Sequence, residues 1–227
     1  LWPLPLMAAL LPTLAALVAL FLFNEGREVP CNPFVADCVS ISRMARHGLA
    51  NLLFRLLVIT GAVLQALTWL VAARVFACGG LARRDALVMA LLGAGAAAML
   101  AVYAAFLGSE GAAYRWLRRS GTLSYFGGTF LAMLLFARAA QFLDRARSLA
   151  TPRAWLRVQR GLLAFVTAIA LAHAFASLAK HAGVEDRIEN LTEWWGALAL
   201  MLGFAAMAWL WRHWRVRATL EVAAPRS

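Results

Sequence analysis

Along this chain, long runs of Leu, Ala, Val and Phe alternate with short segments rich in Gly, Pro, Arg and acidic residues. A hydrocarbon core of about 30 Å takes roughly 20 apolar residues to cross as a helix. Six runs reach that length, at about 2–23, 47–77, 86–107, 122–143, 161–179 and 191–211. The segments between them are too short to fold separately. Residues 1–227 therefore read as one integral membrane domain: an all-α, polytopic bundle of six transmembrane helices. The first run is longer than the apolar region of a secretory signal, and no small-x-small cleavage pattern follows LVALFLFNEGREVP. It is expected to be a retained helix, in a chain whose missing initiator Met suggests a trimmed start.

Composition agrees, with 63% hydrophobic and 15% charged residues, far from an ordinary soluble domain. The net charge of +11 would suggest nucleic acid in a soluble protein. Its distribution argues otherwise. Arg74, Arg83 and Arg84 follow the second run; Arg138, Arg145, Arg147, Arg153, Arg157 and Arg160 surround the connection between the fourth and fifth; Arg212, Arg215, Arg217 and Arg226 follow the sixth. Only Asp85, Asp144 and Glu221 oppose them, whereas the other connections balance their basic residues with acidic ones. The positive-inside rule then puts both termini in the cytoplasm and the first, third and fifth connections outside. The basic excess is read as topology and contact with lipid head groups, with no nucleic-acid partner.

The nine tryptophans fall mostly near the ends of the runs, as expected for indoles at the head-group level. Cys31 and Cys38 share the first outside connection, where an oxidising compartment permits a disulfide. Cys78 is expected to be a free thiol serving as a small apolar filler. The run GAGAAA and the pair Ser124 and Gly128 suggest close contact between helices.

Polar residues inside apolar runs are costly and tend to face protein or a wet cavity. His47, Asn51 and Arg55, spaced by four, share one stripe of the second run. His173, Ser177 and His181 repeat that spacing in the fifth, and Glu189 with Glu193 opens the sixth. Tyr125 lies near the outer end of the fourth. All fall in the outer half of the membrane by the charge rule. They predict an outward-facing cavity between the second, fifth and sixth helices, in which Glu193 neutralises Arg55 and His173 supplies a titratable imidazole. Arg55 would hold a phosphate with its planar fork, and His47, Asn51, Tyr125, His173, Ser177 and Glu193 would complete the ligand site. If a reaction occurs there, His173 and Glu193 are the candidate catalytic groups, with His173 as general base in acyl transfer or lipid hydrolysis. The alternative is a buried Arg–Glu pair that only fixes helix packing. No His-x3-His or Cys-x2-Cys spacing suggests a metal, and no nucleophile elbow or phosphate-cradling loop suggests a cofactor.

The stretch PFVADCVSISRMARHGLANLLFR resembles the Frag/DRAM/Sfk family of membrane proteins, which includes the post-GPI-attachment remodelling factors and the damage-regulated autophagy modulators. Ser40, Ile41 and Ser42 resemble its Ser-Ile-Ser signature, and Phe54 with Arg55 its aromatic-Arg pair. Glu193 and Trp194, within TEWW, resemble the Glu-Trp that opens its last helix. Arg43 stands where the autophagy modulators carry an acidic residue, so the motif is closer to the remodelling factors. The resemblance implies six helices and lipid work at the non-cytoplasmic leaflet. The abundance of Arg and Ala suggests a bacterial inner-membrane protein, with membrane lipids as partners and an envelope lipid or lipid-linked molecule as ligand. A non-catalytic scaffold or accessory subunit that docks another membrane protein is the alternative.

Overall fold

The structure is a computed structural model that describes residues 1–25, 27–36, 38–179 and 184–217; at 176–179, 184–187 and 189 it describes the backbone alone. These residues form seven helices: α1 (Pro3–Asn24), α2 (Ile41–Met44), α3 (Gly48–Cys78), α4 (Arg83–Ala105), α5 (Ala112–Arg145), α6 (Arg153–Ala179) and α7 (Val184–His213). All except α2 are long and apolar enough to cross a membrane. The protein is a multi-pass, all-α membrane bundle, as the spacing of its apolar runs predicts.

The helices overrun the apolar segments. α5 starts at Ala112 rather than near 122, and α6 at Arg153 rather than near 161. Apolarity marks the hydrocarbon, but a helix satisfies its own backbone hydrogen bonds and can continue into water. α2 has no counterpart in the hydropathy pattern. It exists because Ser40 caps it, its Oγ accepting from Arg43 N at 3.2 Å, while Ile41 and Met44 are buried beneath.

The backbone amine of Leu1 donates to Val216 O at 2.7 Å, so the start of α1 meets the end of α7. The short α3–α4 and α5–α6 connections lie at this same end by alternation of the spans. Arg83, Arg84, Arg145, Arg147, Arg153, Arg212 and Arg215 therefore gather at one end, as the charge distribution predicts. We call it the arginine end, and the opposite one the loop end.

α1 packs on α3 and α7, α4 lies between α3 and α5, and α6 leans mainly on α7. Small residues set the close approaches. A side chain at Gly93 of α4 would collide with the Trp69 ring of α3, and one at Gly128 of α5 would come within 2.9 Å of Ala96 Cβ. Toward the arginine end the core is a run of edge-to-face aromatics. Ring centroids lie 4.8 Å apart for Phe76 and Phe136, 5.6 Å for Trp69 and Phe204, and 6.4 Å for Trp69 and Phe136.

The indoles depart from the expected head-group belt: Trp69, Trp155, Trp194 and Trp211 are buried. A helix that overruns the hydrocarbon places nominal end residues inside the bundle, where an indole both fills space and donates a bond. Trp155 Nε1, for example, donates to Ala206 O at 2.7 Å, joining α6 to α7. Cys78 is free and exposed, not packed as a filler.

Candidate functional site

The loop end is closed by the segment between α1 and α2. Cys31 and Cys38 form the expected disulfide, with Cα atoms 6.0 Å apart. Asn24, the last residue of α1, grips the loop twice: its Nδ2 donates to Cys31 O at 3.0 Å, and its Oδ1 accepts from Cys31 N at 2.8 Å. Phe34 stands edge-on to both Trp194 and Trp195, each at 5.2 Å. Trp194 Nε1 donates to Val39 O at 2.9 Å and Trp195 Nε1 to Phe34 O at 3.2 Å. The loop is thus fastened to α1 by an amide and to α7 by two indoles.

Beneath it lies a cavity of about 220 Å³. Phe34 and Ile41 roof it, and its walls come from α1, α3, α4, α5 and α7. Most of the lining is apolar, including Phe54, Val58, Leu100, Phe126, Trp194, Ala197 and Met201. The polar exceptions are Thr13, Tyr103, Thr122, Tyr125 and Glu193. From Glu193 to Met201 the α7 wall runs about 12 Å at 1.5 Å per residue, roughly two-fifths of a hydrocarbon core of about 30 Å. Leu17 at its edge is 50% exposed, so the α1 wall reaches the bundle surface.

The floor has its own logic. Pro12 lies inside α1 and cannot donate to the carbonyl four residues earlier. That carbonyl belongs to Ala8, and Gln65 Nε2 of α3 donates to it at 3.2 Å. Pro12 also sits directly against Gly61, where a Cβ would come within 2.7 Å of its ring. The amide of Gln65 is thereby fixed in the middle of the bundle, fully buried. The Tyr125 hydroxyl faces Gln65, yet neither it nor Gln65 Oε1 has a well-formed hydrogen bond. The Tyr103 hydroxyl, nearer the loop end, is also buried without a partner. Glu193, Arg118 and Arg46 act electrostatically on Tyr103, so the charges collect at the loop end of the cavity. Arg118 is committed there to the α4–α5 turn, donating to Phe106 O and Ser109 O.

Of the residues expected at a site, Tyr125 and Glu193 line this cavity together. Asn51 does not; its Nδ2 donates to Ala45 O at 2.9 Å and Leu107 O at 3.0 Å, tying the start of α3 to the end of α4. His47 and Arg55 are exposed. Each helical residue turns the side chain by about 100°, so Phe54 enters the core and Arg55 points away. A spacing of four also drifts by about 40° per step, enough to carry the stripe from His47 to Arg55 around the helix rather than along one wall. The long stem of Arg55 suits a guanidinium lifted to the interface.

His173 is half-buried at the α6–α7 seam, with Nδ1 3.3 Å from Thr192 Oγ1, and does not line the cavity. The expected three-helix site also gave α6 a wall that belongs to α1, α4 and α5. α6 is peripheral: only 6% of its membrane window is buried. The side chains of Ser177 and Glu189, and the whole of His181, lie outside the described residues. Ser124 is exposed.

Sequence reasoning missed Gln65 and Tyr103. The proline inside α1 was the available signal, since it obliges some neighbouring donor to serve Ala8.

Comparison of the chain with protein-family models, with curated proteins and with solved structures finds no match.

Proposed function

We propose that this protein binds a lipid or lipid-linked molecule of the envelope by inserting part of its hydrocarbon into the loop-end cavity. One observation carries this reading. Ile41 from the Ser-Ile-Ser stretch, Phe54 from the aromatic-Arg pair, and Glu193 with Trp194 from TEWW are far apart in sequence and line the same cavity. Four of the residues that resemble the Frag/DRAM/Sfk family therefore meet at one place, which supports membership of that family and lipid work as its purpose. By the charge rule the cavity belongs to the non-cytoplasmic leaflet of what we take to be a bacterial inner membrane.

The dimensions refine the ligand. A volume of about 220 Å³ falls below the roughly 300–1,000 Å³ of pockets that enclose whole small molecules. It suits a segment of chain, with the head group left at the loop end near Glu193. A phosphate gripped by Arg55 has no place in this reading, because that side chain faces away.

The test fills the cavity. Ala197→Trp places an indole in the lining, and native mass spectrometry of the detergent-purified protein reads the bound lipid. Wild type is expected to retain lipid and Ala197→Trp to lose most of it while remaining folded. Wild type without lipid, or equal retention in the variant, defeats the proposal.

A second reading, an accessory subunit in a larger membrane complex, rests on α6. Its membrane face is almost wholly unburied, which leaves room for a neighbouring helix. Cross-linking from exposed α6 positions such as Leu171 in intact membranes tests it, and capture of one defined membrane protein at stoichiometric yield is the supporting outcome.

A further inference from the structure

Two phenols line a mostly apolar cavity with their hydroxyls buried and without a well-formed hydrogen bond. Tyr103 is 7% exposed and Tyr125 4%. A hydroxyl withdrawn from water without a bond is unfavourable, and a bundle that required only bulk at these positions would be better served by Phe. Neither ring is positioned by its hydroxyl. Tyr103 packs edge-on to Phe54 at 6.5 Å and Tyr125 to Phe126 at 5.5 Å. The Tyr103 hydroxyl is therefore free to serve something else that enters the cavity, and the Tyr125 hydroxyl, which faces Gln65 without a well-formed bond to it, can turn to the same entrant.

The two stand at different depths. Tyr103 lies beside Gly121, where a Cβ would meet its Cβ at 3.1 Å, and Tyr125 follows Gly121 by four residues on α5. That separation is about 6 Å along the axis. What they meet must be uncharged. Among the described lining residues there is no Arg or Lys, so an anionic phosphate drawn inside would be desolvated with no lining cation to receive it. A phenol both donates and accepts, but its O–H is the stronger partner, so an acceptor continuous with hydrocarbon suits the two hydroxyls and the remaining walls together.

From this we infer that the cavity selects an ester-linked acyl chain, with Tyr103 and Tyr125 donating to ester oxygen as the chain enters. The inference rests on the lipid-binding reading above and names the chemical class of the ligand. Tyr103 contacts the chain near the loop end, and Tyr125, in front of Gln65, contacts it deeper.

The experiment compares a diester phosphatidylglycerol with its diether analogue of equal chain length, competed for the delipidated full-length protein in detergent and read by native mass spectrometry. Wild type is expected to prefer the ester about tenfold, the worth of one hydrogen bond of ordinary strength. Tyr103→Phe and Tyr125→Phe should each reduce that preference, and the double variant should remove it while binding the ether as wild type does. Ether binding serves as the measure of a folded cavity. Equal binding of both lipids by wild type overturns the inference, as it must if water satisfies the phenols, and leaves lipid binding standing. An undiminished ester preference in the folded double variant overturns it as well. Failure to bind either lipid removes the reading on which it rests.

Discussion

The two halves of the bundle use aromatic residues in opposite ways. Toward the arginine end, Trp69, Phe76, Phe136 and Phe204 interlock edge to face, and Trp155 lies tilted against Phe136. Toward the loop end, Phe34, Phe54, Tyr103, Tyr125, Phe126 and Trp194 surround a space and leave it open. The helices are the same; what differs is where the rings point and what holds them. The closed half is held by ring against ring. The open half is held from outside, by a disulfide-bonded loop, the Asn24 clamp and two indole bonds. Close ring packing and an open cavity are thereby assigned to different depths of one molecule.

The sharpest way to break this comparison is to cut the closed half. Phe136 is fully buried and meets Trp69, Phe76 and Trp155. Phe136→Ala should cost about 3–5 kcal/mol, read as a large fall in the thermal midpoint in detergent. An equal effect from Phe126→Ala, at the cavity wall, would erase the distinction between the halves.

A smaller effect probes the floor between them. Gln65→Leu leaves the Ala8 carbonyl without a donor and should cost about 1–2 kcal/mol. In a Pro12→Ala background residue 12 regains its N–H, so the same substitution should cost close to nothing. The double-mutant cycle isolates the coupling, and strict additivity would show that Gln65 does not serve the proline. The smallest effect belongs to Arg55→Ala, expected within about 0.5 kcal/mol of wild type with lipid retention unchanged. A loss of lipid there would restore the arginine to the site.

Much of the architecture was legible in the chain. Apolar runs cannot be left in water, and a backbone in hydrocarbon must bond to itself, so six long helices follow from composition and length. The sharing of one end by the basic connections followed from alternation along the chain. The Cys31–Cys38 pairing was legible from its place in a single short connection. The cavity was legible only in part. Tyr125 and Glu193, which line it, could be picked out because a polar residue in an apolar run stands out. Tyr103 and Gln65 answer to the same rule but belong to no stripe.

The departures from the expected three-helix cavity share one cause. A spacing of four states that residues follow one another along a helix, and leaves open which neighbour that face meets. Asn51 turned to two carbonyls, Arg55 to the outside and His173 to the α6–α7 seam, because rotation about each helix axis is set by packing. By itself the sequence determined a six-span helical membrane protein, its charge asymmetry and a stapled loop, since these depend on transfer from water and on local chain geometry. Only tertiary structure decided that Ile41, Phe54, Tyr103, Tyr125 and Trp194 surround one space. Convergence of distant residues depends on the rotation and close approach of helices, which Gly61, Gly93 and Gly128 allow and no single helix can specify.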